Sequence, residues 1–287
     1  MATDIIAIQG TPGSFHQIAA KSLFGAEVQT LPCATFADVF IALQTQQATK
    51  AVVAVGNNRY GDISPVLDML VHDHIGLANP QFWISGEVYV EVKQCLIGLP
   101  GATMETIKEV HSQAPAIGQC QKFLQKNLHT ATIIEQEDTA KSVKMVKEWN
   151  DPAKVAIASR AAAEIYGMQV LAEGIQDDEL NITRFLVIQT QFIESPNNNK
   201  TTLLFKTDHQ PGSLVRALAF FSNEAINFSY LQSMSIPNQP FQYRFYLEIE
   251  AGSQEDRAVR AFKTLNEIGY EVDVLGSYTI AQIPILS

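Results

Sequence analysis

Asn181-Ile182-Thr183-Arg184-Phe185 runs straight into Leu186-Val187-Ile188. The apolar run from Phe185 to Ile188 reads as a buried strand. An amide, a hydroxyl, a guanidinium and an aromatic ring gather at its lip, where the strand fixes the backbone and a loop supplies the chemistry. Thr183 can donate or accept a proton, and Arg184 can grip a carboxylate in a fork of two hydrogen bonds. Taken alone, the same two residues read as a β-forming threonine and a surface charge.

Upstream of this stretch the chain alternates strands with helices. Ile5 to Ile8 is a strand, followed by the Gly-rich loop Gln9-Gly10-Thr11-Pro12-Gly13-Ser14-Phe15 and a helix carrying Ala19, Ala20 and Leu23. That layout aims backbone N–H groups at an anion, although the loop is neither a P-loop nor a GxGxxG turn. Thr35 to Leu43 reads as a helix with Thr35 as its cap. Ala51 to Val55 is a second buried strand and runs into the polar loop Gly56-Asn57-Asn58-Arg59-Tyr60-Gly61, then a helix from Ile63 to Leu70. Ligands of open α/β sheets sit at such carboxyl ends of strands. Further along, Trp83 to Leu96 reads as one long strand, Ala116 to Leu124 as a helix carrying Gln119 and Cys120, and Thr139 to Trp149 as a helix capped by Asp138. Val155 to Ala158 is a strand, Ser159 to Tyr166 a helix, and Val170 to Ala172 the strand before the loop that holds Thr183.

Glu194-Ser195-Pro196-Asn197-Asn198-Asn199-Lys200 is a linker by composition. After it the order is strand (Thr201–Lys206), helix (Ser213–Ser222), strands (Ile226–Ser235 and Phe241–Glu250), helix (Asp256–Ile268) and strand (Val272–Tyr278). This βαββαβ order describes a ferredoxin-like sandwich whose sheet suits pairing with another subunit.

Composition narrows the function. A net charge of −10 with no basic stripe argues against a nucleic-acid partner. An anionic small molecule is compatible, since its site needs only one or two cations and a helix N-terminus. Cys33, Cys95 and Cys120 are widely spaced, so they read as buried free thiols in a reducing compartment and not as a disulfide framework or a zinc site. No secretory leader pattern and no run of membrane-spanning length is visible, so the expectation is a cytoplasmic protein without a membrane partner.

The ordered set of motifs resembles the prephenate dehydratase family, with a C-terminal regulatory domain of the ACT type. Gly10-Thr11-Pro12-Gly13-Ser14-Phe15-His16 with Ala19-Ala20 is similar to the family's Gly-rich opening. Val53-Ala54-Val55-Gly56-Asn57-Asn58-Arg59-Tyr60-Gly61 is similar to its second signature, and Gly86-Glu87 to its third. Ser112 to Cys120, Ala162 to Gly167, and Ile175-Gln176-Asp177 through Phe185 follow in order, the last intact. The resemblance implies a two-lobed, periplasmic-binding-protein-like α/β catalytic domain over residues 1–193, with one lobe at about 1–80 and 160–193 and the other at about 81–159. It implies a βαββαβ ferredoxin-like ACT domain over 200–283.

The implied reaction converts prephenate to phenylpyruvate with loss of water and carbon dioxide. Aromatisation drives it, so the resemblance implies a lyase without cofactor or metal. Thr183 is then the candidate for assisting the departing hydroxyl, with Asn57, Ser112 and Gln119 as neutral partners, Ser112 and Gln119 reaching the cleft from the second lobe. Ser14, Arg184 and Phe185 are the substrate-binding candidates; Arg184 serves equally as support beneath the site, and Phe185 as core. His16 stands where the family has a small hydroxyl residue and reads as helix surface or site rim. Three further positions depart from the family: Gly56 for a Glu, Asn58 for a Ser and Gln113 for a His.

In the C-terminal domain the resemblance implies an L-phenylalanine site from Gly212, Ser213, Leu214, Val215, Asn227, Gln232 and Ser233, with Met234 where the family has Arg. A homodimer or homotetramer is the implied assembly. Two other functions fit the sequence: arogenate dehydratase, the same chemistry on an amino-acid side chain, and a non-catalytic sensor of amino acids. The intact Asn181 to Phe185 array argues against the sensor.

Overall fold

The computed structural model describes residues 4–74, 80–208, 210–236, 239 and 242–284. Contacts divide the chain into two compact units, one drawn from 1–64 and 88–185, the other from 65–87 and 186–282.

The chain builds β1 (Ile5–Gln9), α1 (Phe15–Phe24), β2 (Gln29–Cys33), α2 (Phe36–Gln44), β3 (Lys50–Asn57), β4 (Gly61–Asp62), α3 (Ser64–His74) and β5 (Trp83–Glu91). Next come β6 (Cys95–Gly98), β7 (Glu109–Ser112), α4 (Ala114–Gly118), α5 (Gln121–Asn127), β8 (Thr132–Glu135), α6 (Thr139–Trp149), β9 (Lys154–Ala158), α7 (Arg160–Tyr166), β10 (Gln169–Glu173) and β11 (Ile182–Gln189). The C-terminal part adds β12 (Lys200–Lys206), α8 (Ser213–Asn223), β13 (Phe228–Ser235), β14 (Tyr243–Ile249), α9 (Asp256–Glu267) and β15 (Glu271–Tyr278).

Two α/β sheets organise the first part of the chain. One has the order β2-β1-β3-β11-β5 with β4 paired to β3; β1 lies parallel to both β2 and β3. The other has the order β10-β6-β9-β7-β8, with β7 parallel to β8 and β9. Its central strands are apolar on both faces. Val155 and Ile157 of β9 pack with Ile117 and Leu124 on one side, while Ala156 and Ala158 pack with Val143, Val146 and Ala162 on the other. Helices cover both faces of the sheet, so its central strands carry unbroken apolar runs.

Helix starts follow local chemistry. Thr35 and Asp38 form a reciprocal capping box at α2, Asp138 caps α6, and Ser159 caps α7. Four sequence expectations change. Trp83 to Leu96 is not one strand: β5 joins the first sheet and β6 the second, the chain crossing over at Val92 to Gln94. Strand β10 and its preceding helix belong with the second sheet, so that sheet runs from β6 to β10 and not over 81–159. Ala116 to Leu124 is two helices broken at Gln119 and Cys120, because Asp177 accepts the N–H of Lys122 at 2.9 Å and caps α5 there. Thr183 lies in β11 itself, not in the preceding loop.

The C-terminal sheet has the order β13-β14-β12-β15, antiparallel throughout, with α8 and α9 packed on a core of Leu203, Phe205, Phe221, Leu247 and Leu265. This is the βαββαβ sandwich. Phe241, the expected start of β14, lies outside the described residues. Lys200, read as the linker's last residue, is the buried first residue of β12; its Nζ lies 2.9 Å from Glu87 Oε2 and 3.0 Å from Glu248 Oε2. No described helix is long and apolar enough to cross a membrane.

Candidate active site

A cavity of about 330 Å³ opens within the first unit. The ends of four strands feed it: Gln9 from β1, Asn57 from β3, Gln113 after β7, and Asp138 after β8. Thr183 enters from β11 and Gln119 from the break between α4 and α5. The carboxyl ends of strands therefore supply much of this site, as open α/β sheets generally arrange.

The polar wall is a chain of side-chain amides. Asn57 Oδ1 accepts the backbone N–H groups of Arg59 and Tyr60 at 2.9 and 3.1 Å, which turns the loop after β3 and fixes which end of the amide faces outward. Its Nδ2 donates to Thr183 Oγ1 and to Asn181 Oδ1, each at 2.9 Å, and to the Ile182 carbonyl at 3.2 Å. Asn181 Nδ2 donates at 2.9 Å to Gln119 Oε1, which also accepts Gln94 Nε2 at 3.1 Å. Thr183 Oγ1 thus receives a hydrogen from Asn57, and its own hydrogen is left to give to something in the cavity.

Asn58 holds the frame. Its Nδ2 donates to the Leu180 carbonyl at 2.9 Å, and its Oδ1 accepts Ile182 N–H at 2.7 Å. The side chain grips the backbone on both sides of Asn181, bringing the start of β11 against the end of β3. Tyr60 reaches from the same loop to donate to the Pro115 carbonyl at 3.0 Å.

The remaining walls are apolar or neutral. Ala54, Ile63, Val92, Ala116, Phe36 and Phe185 line the cavity, and no Lys or Arg is among the lining residues. Ser14 caps α1, accepting Gln17 N–H at 3.4 Å, and the first turn of that helix opens on the cavity. Asp138 is the acidic side chain of the wall; its Oδ1 accepts Thr11 Oγ1–H at 3.0 Å and Lys141 N–H at 2.6 Å. Cys120, beside Gln119, is inert as a nucleophile, because burial pushes its thiol up to about 12.

Of the residues expected at the site, Thr183, Asn57, Gln119, Ser14 and Phe185 line this one cavity. Ser112 does not: it is fully buried at the end of β7 and donates at 2.6 Å to the Ile157 carbonyl. Arg184 does not either, since alternation along β11 sets it on the opposite face from Thr183 and Phe185. Gly56 lies outside the lining set, and a Cβ built there would stand 3.8 Å from Asp62 Oδ1 and from the Gly61 carbonyl oxygen. His16, read as surface or rim, is buried: its Nε2 accepts Ala54 N–H at 3.2 Å and its ring meets Phe185 edge-on. Asn181, Gln94 and Tyr60 also belong to the site, and the sequence reading gave them no part. Asn181 and Tyr60 stood inside quoted motifs and could have been found there; Gln94 carried no local signal.

In the C-terminal unit, Gly212 takes φ +82° ahead of α8, and Ser213 is buried, with Oγ accepting Arg216 Nη2 at 2.9 Å. Val215, Asn227 and Ser233 are exposed, and Leu214 and Gln232 half-buried. Gln232 accepts a hydrogen bond from Tyr230 Oη at 2.9 Å. Met234 is buried.

The profile of the prephenate dehydratase family matches residues 6–192. A bifunctional chorismate mutase/prephenate dehydratase of Aquifex aeolicus is 33% identical over 273 residues, spanning 95% of this chain and 73% of the relative. An arogenate dehydratase/prephenate dehydratase of Arabidopsis thaliana is 33% identical over 289 residues, spanning 95% of this chain and 71% of the relative. The crystal structure of prephenate dehydratase from Arthrobacter aurescens, in complex with L-Phe, superposes with a TM-score of 0.85 at 24% identity, covering 99% of this chain and 93% of that one.

Proposed function

The chain belongs to the prephenate dehydratase family, and on that membership we propose that the Thr183 cavity converts prephenate to phenylpyruvate, carbon dioxide and water. The ring carboxylate leaves as carbon dioxide, its bonding pair enters the ring, and the ring C–O bond breaks with the oxygen keeping its pair. One proton completes the water. Thr183 is placed to donate that hydrogen, because Asn57 Nδ2 already fills one of its acceptor positions at 2.9 Å. This hydrogen bond is the observation that carries the reading. The same N–H steadies negative charge on Oγ1 as the proton moves, and solvent restores it.

The side-chain carboxylate of the substrate fits the first turn of α1, beside Ser14. The ring carboxylate then faces apolar walls without a cation, where the neutral carbon dioxide is favoured over the charged group it replaces. Ser112 acts from beneath the site by tying β7 to β9. Phenylalanine binding belongs to the same reading, at a site formed from Gly212 to Val215 with Asn227, Gln232 and Ser233. Strand β13 is an edge strand, so a second chain in a homodimer or homotetramer would complete that site. The cytoplasm is the compartment this reading assigns.

The test is phenylpyruvate formation by wild type, Thr183→Ser and Thr183→Val. Val keeps the shape and loses the hydroxyl, and kcat is expected to fall by about 10²–10⁴-fold, with Ser retaining most of the rate. A folded Thr183→Val enzyme turning over at the wild-type rate would remove Thr183 from the chemistry.

A further inference from the structure

His16 sits in the first turn of α1, only 9% exposed, with its ring centroid 5.1 Å from that of Phe185 and 5.8 Å from that of Phe36. The Ala54 N–H can only donate, so Nε2, which it meets at 3.2 Å, is bare and the ring proton sits on Nδ1. Burial holds the imidazole neutral, with its pKa drawn down to about 4. Nδ1–H has no acceptor among the described residues, yet it is not among the buried polar atoms sealed off without one. It therefore opens onto the cavity that His16 lines. Ser14 and Phe15, at the same helix start, line that cavity too.

These positions fit an α-keto acid. Its carboxylate takes the N–H groups of the first turn of α1, and the ketone oxygen, one carbon away, comes within reach of the next side chain along, His16. We propose that Nδ1–H of His16 donates to that ketone oxygen and thereby selects a keto-acid side chain over an amino-acid side chain. An α-ammonium at the same point offers donors and no acceptor, so it meets the fixed N–H donor to donor. The carboxylate available to it on this wall, Asp138, already receives Thr11 and the Lys141 N–H on one oxygen. The selection deepens the dehydratase reading and rests on it: prephenate carries the ketone, arogenate the ammonium.

The experiment measures kcat/KM for prephenate and arogenate with wild type, His16→Phe and His16→Ala. It also measures phenylpyruvate binding to the same proteins by calorimetry, which needs no turnover. The wild type is expected to prefer prephenate by at least about tenfold. His16→Phe keeps the ring and loses the donor. It is expected to lower kcat/KM for prephenate about tenfold, mainly through KM, to leave arogenate within about threefold, and to weaken phenylpyruvate binding about tenfold. His16→Ala, which also removes the donor, carries the same comparison should the Phe variant fail to fold. A wild type that prefers arogenate, or a preference and a phenylpyruvate affinity unchanged in a folded variant, overturns the proposal. Turnover of neither substrate by wild type fails the dehydratase reading instead, and phenylpyruvate binding then decides the role of His16 alone.

Discussion

Replacing Asn57 by Asp changes one NH₂ group to an oxygen and leaves the size of the side chain alone. The two N–H groups that Asn57 accepts, from Arg59 and Tyr60, are served equally well by a carboxylate, so the turn after β3 persists. Everything on the other side of the amide reverses. Nδ2 now donates to Thr183 Oγ1, Asn181 Oδ1 and the Ile182 carbonyl. A carboxylate oxygen there donates to none of them and becomes the best acceptor for the Thr183 hydrogen. Thr183 has one hydrogen to give. Spent on the new carboxylate, it is lost to the substrate hydroxyl. The expected fall in kcat is the whole contribution of the acid, about 10²–10⁴-fold or roughly 3–5 kcal/mol on the barrier. KM changes little, because the first turn of α1 and the apolar walls are untouched. The assay is phenylpyruvate formation by Asn57→Asp, Thr183→Val and the double variant. Both single changes remove the same proton, so the double variant should cost about as much as either one alone, and not their product. Asn57→Asp within about threefold of wild type, or a double variant showing the product of the two losses, would refute the relay from Asn57 through Thr183.

Three further outcomes follow from the same geometry. The folded-state pKa of His16 is depressed to about 4 from 6.5, so its contribution to stability is complete above pH 6.5 and is lost as pH falls toward 4, about 3 kcal/mol in all; urea midpoints at pH 7 and 4.5 should therefore drop less in His16→Phe than in wild type, and parallel drops would contradict a buried neutral ring. Gly13 has φ +90°, and an added Cβ would stand 2.6 Å from Ala162 Cα, so Gly13→Ala should cost about 2–5 kcal/mol and disturb the start of α1; Gly167→Ala, at φ +65° and ψ +37° in open space, should cost only about 1 kcal/mol, and equal melting temperatures for the two would show the close approach is unimportant. Lys200→Met strips the ammonium from two buried carboxylates, Glu87 and Glu248, and should destabilise the C-terminal unit by about 3–5 kcal/mol in urea unfolding; a loss below about 1 kcal/mol would mean the cluster is satisfied without Lys200.

Local pattern decided much of this protein. Apolar runs such as Ala51–Val55 and Phe185–Ile188 specify buried strands, and Thr35, Asp138 and Ser159 specify helix starts, because a strand's burial and a helix cap depend on residues a few positions apart. The βαββαβ order of the C-terminal domain was legible for the same reason. So were Thr183, Asn57, Gln119 and Ser14, whose motifs place amides and hydroxyls at the ends of strands and helices. What sequence could not show was direction and partnership. Ser112 shares a motif with Gln119, yet its hydroxyl is committed to the Ile157 carbonyl, a partner from another strand. Arg184 adjoins Thr183 and faces the other way, because β11 includes Thr183 and a strand alternates its faces. The break at Gln119 depends on Asp177, dozens of positions away, and the burial of His16 depends on Ala54, Phe36 and Phe185 closing around it. The sequence determined which elements form and which chemical groups stand at their ends. Only the tertiary structure decided which of those groups share one cavity and which spend their hydrogen bonds on the frame, because a side chain's partners come from strands and helices that adjoin it in space and not along the chain.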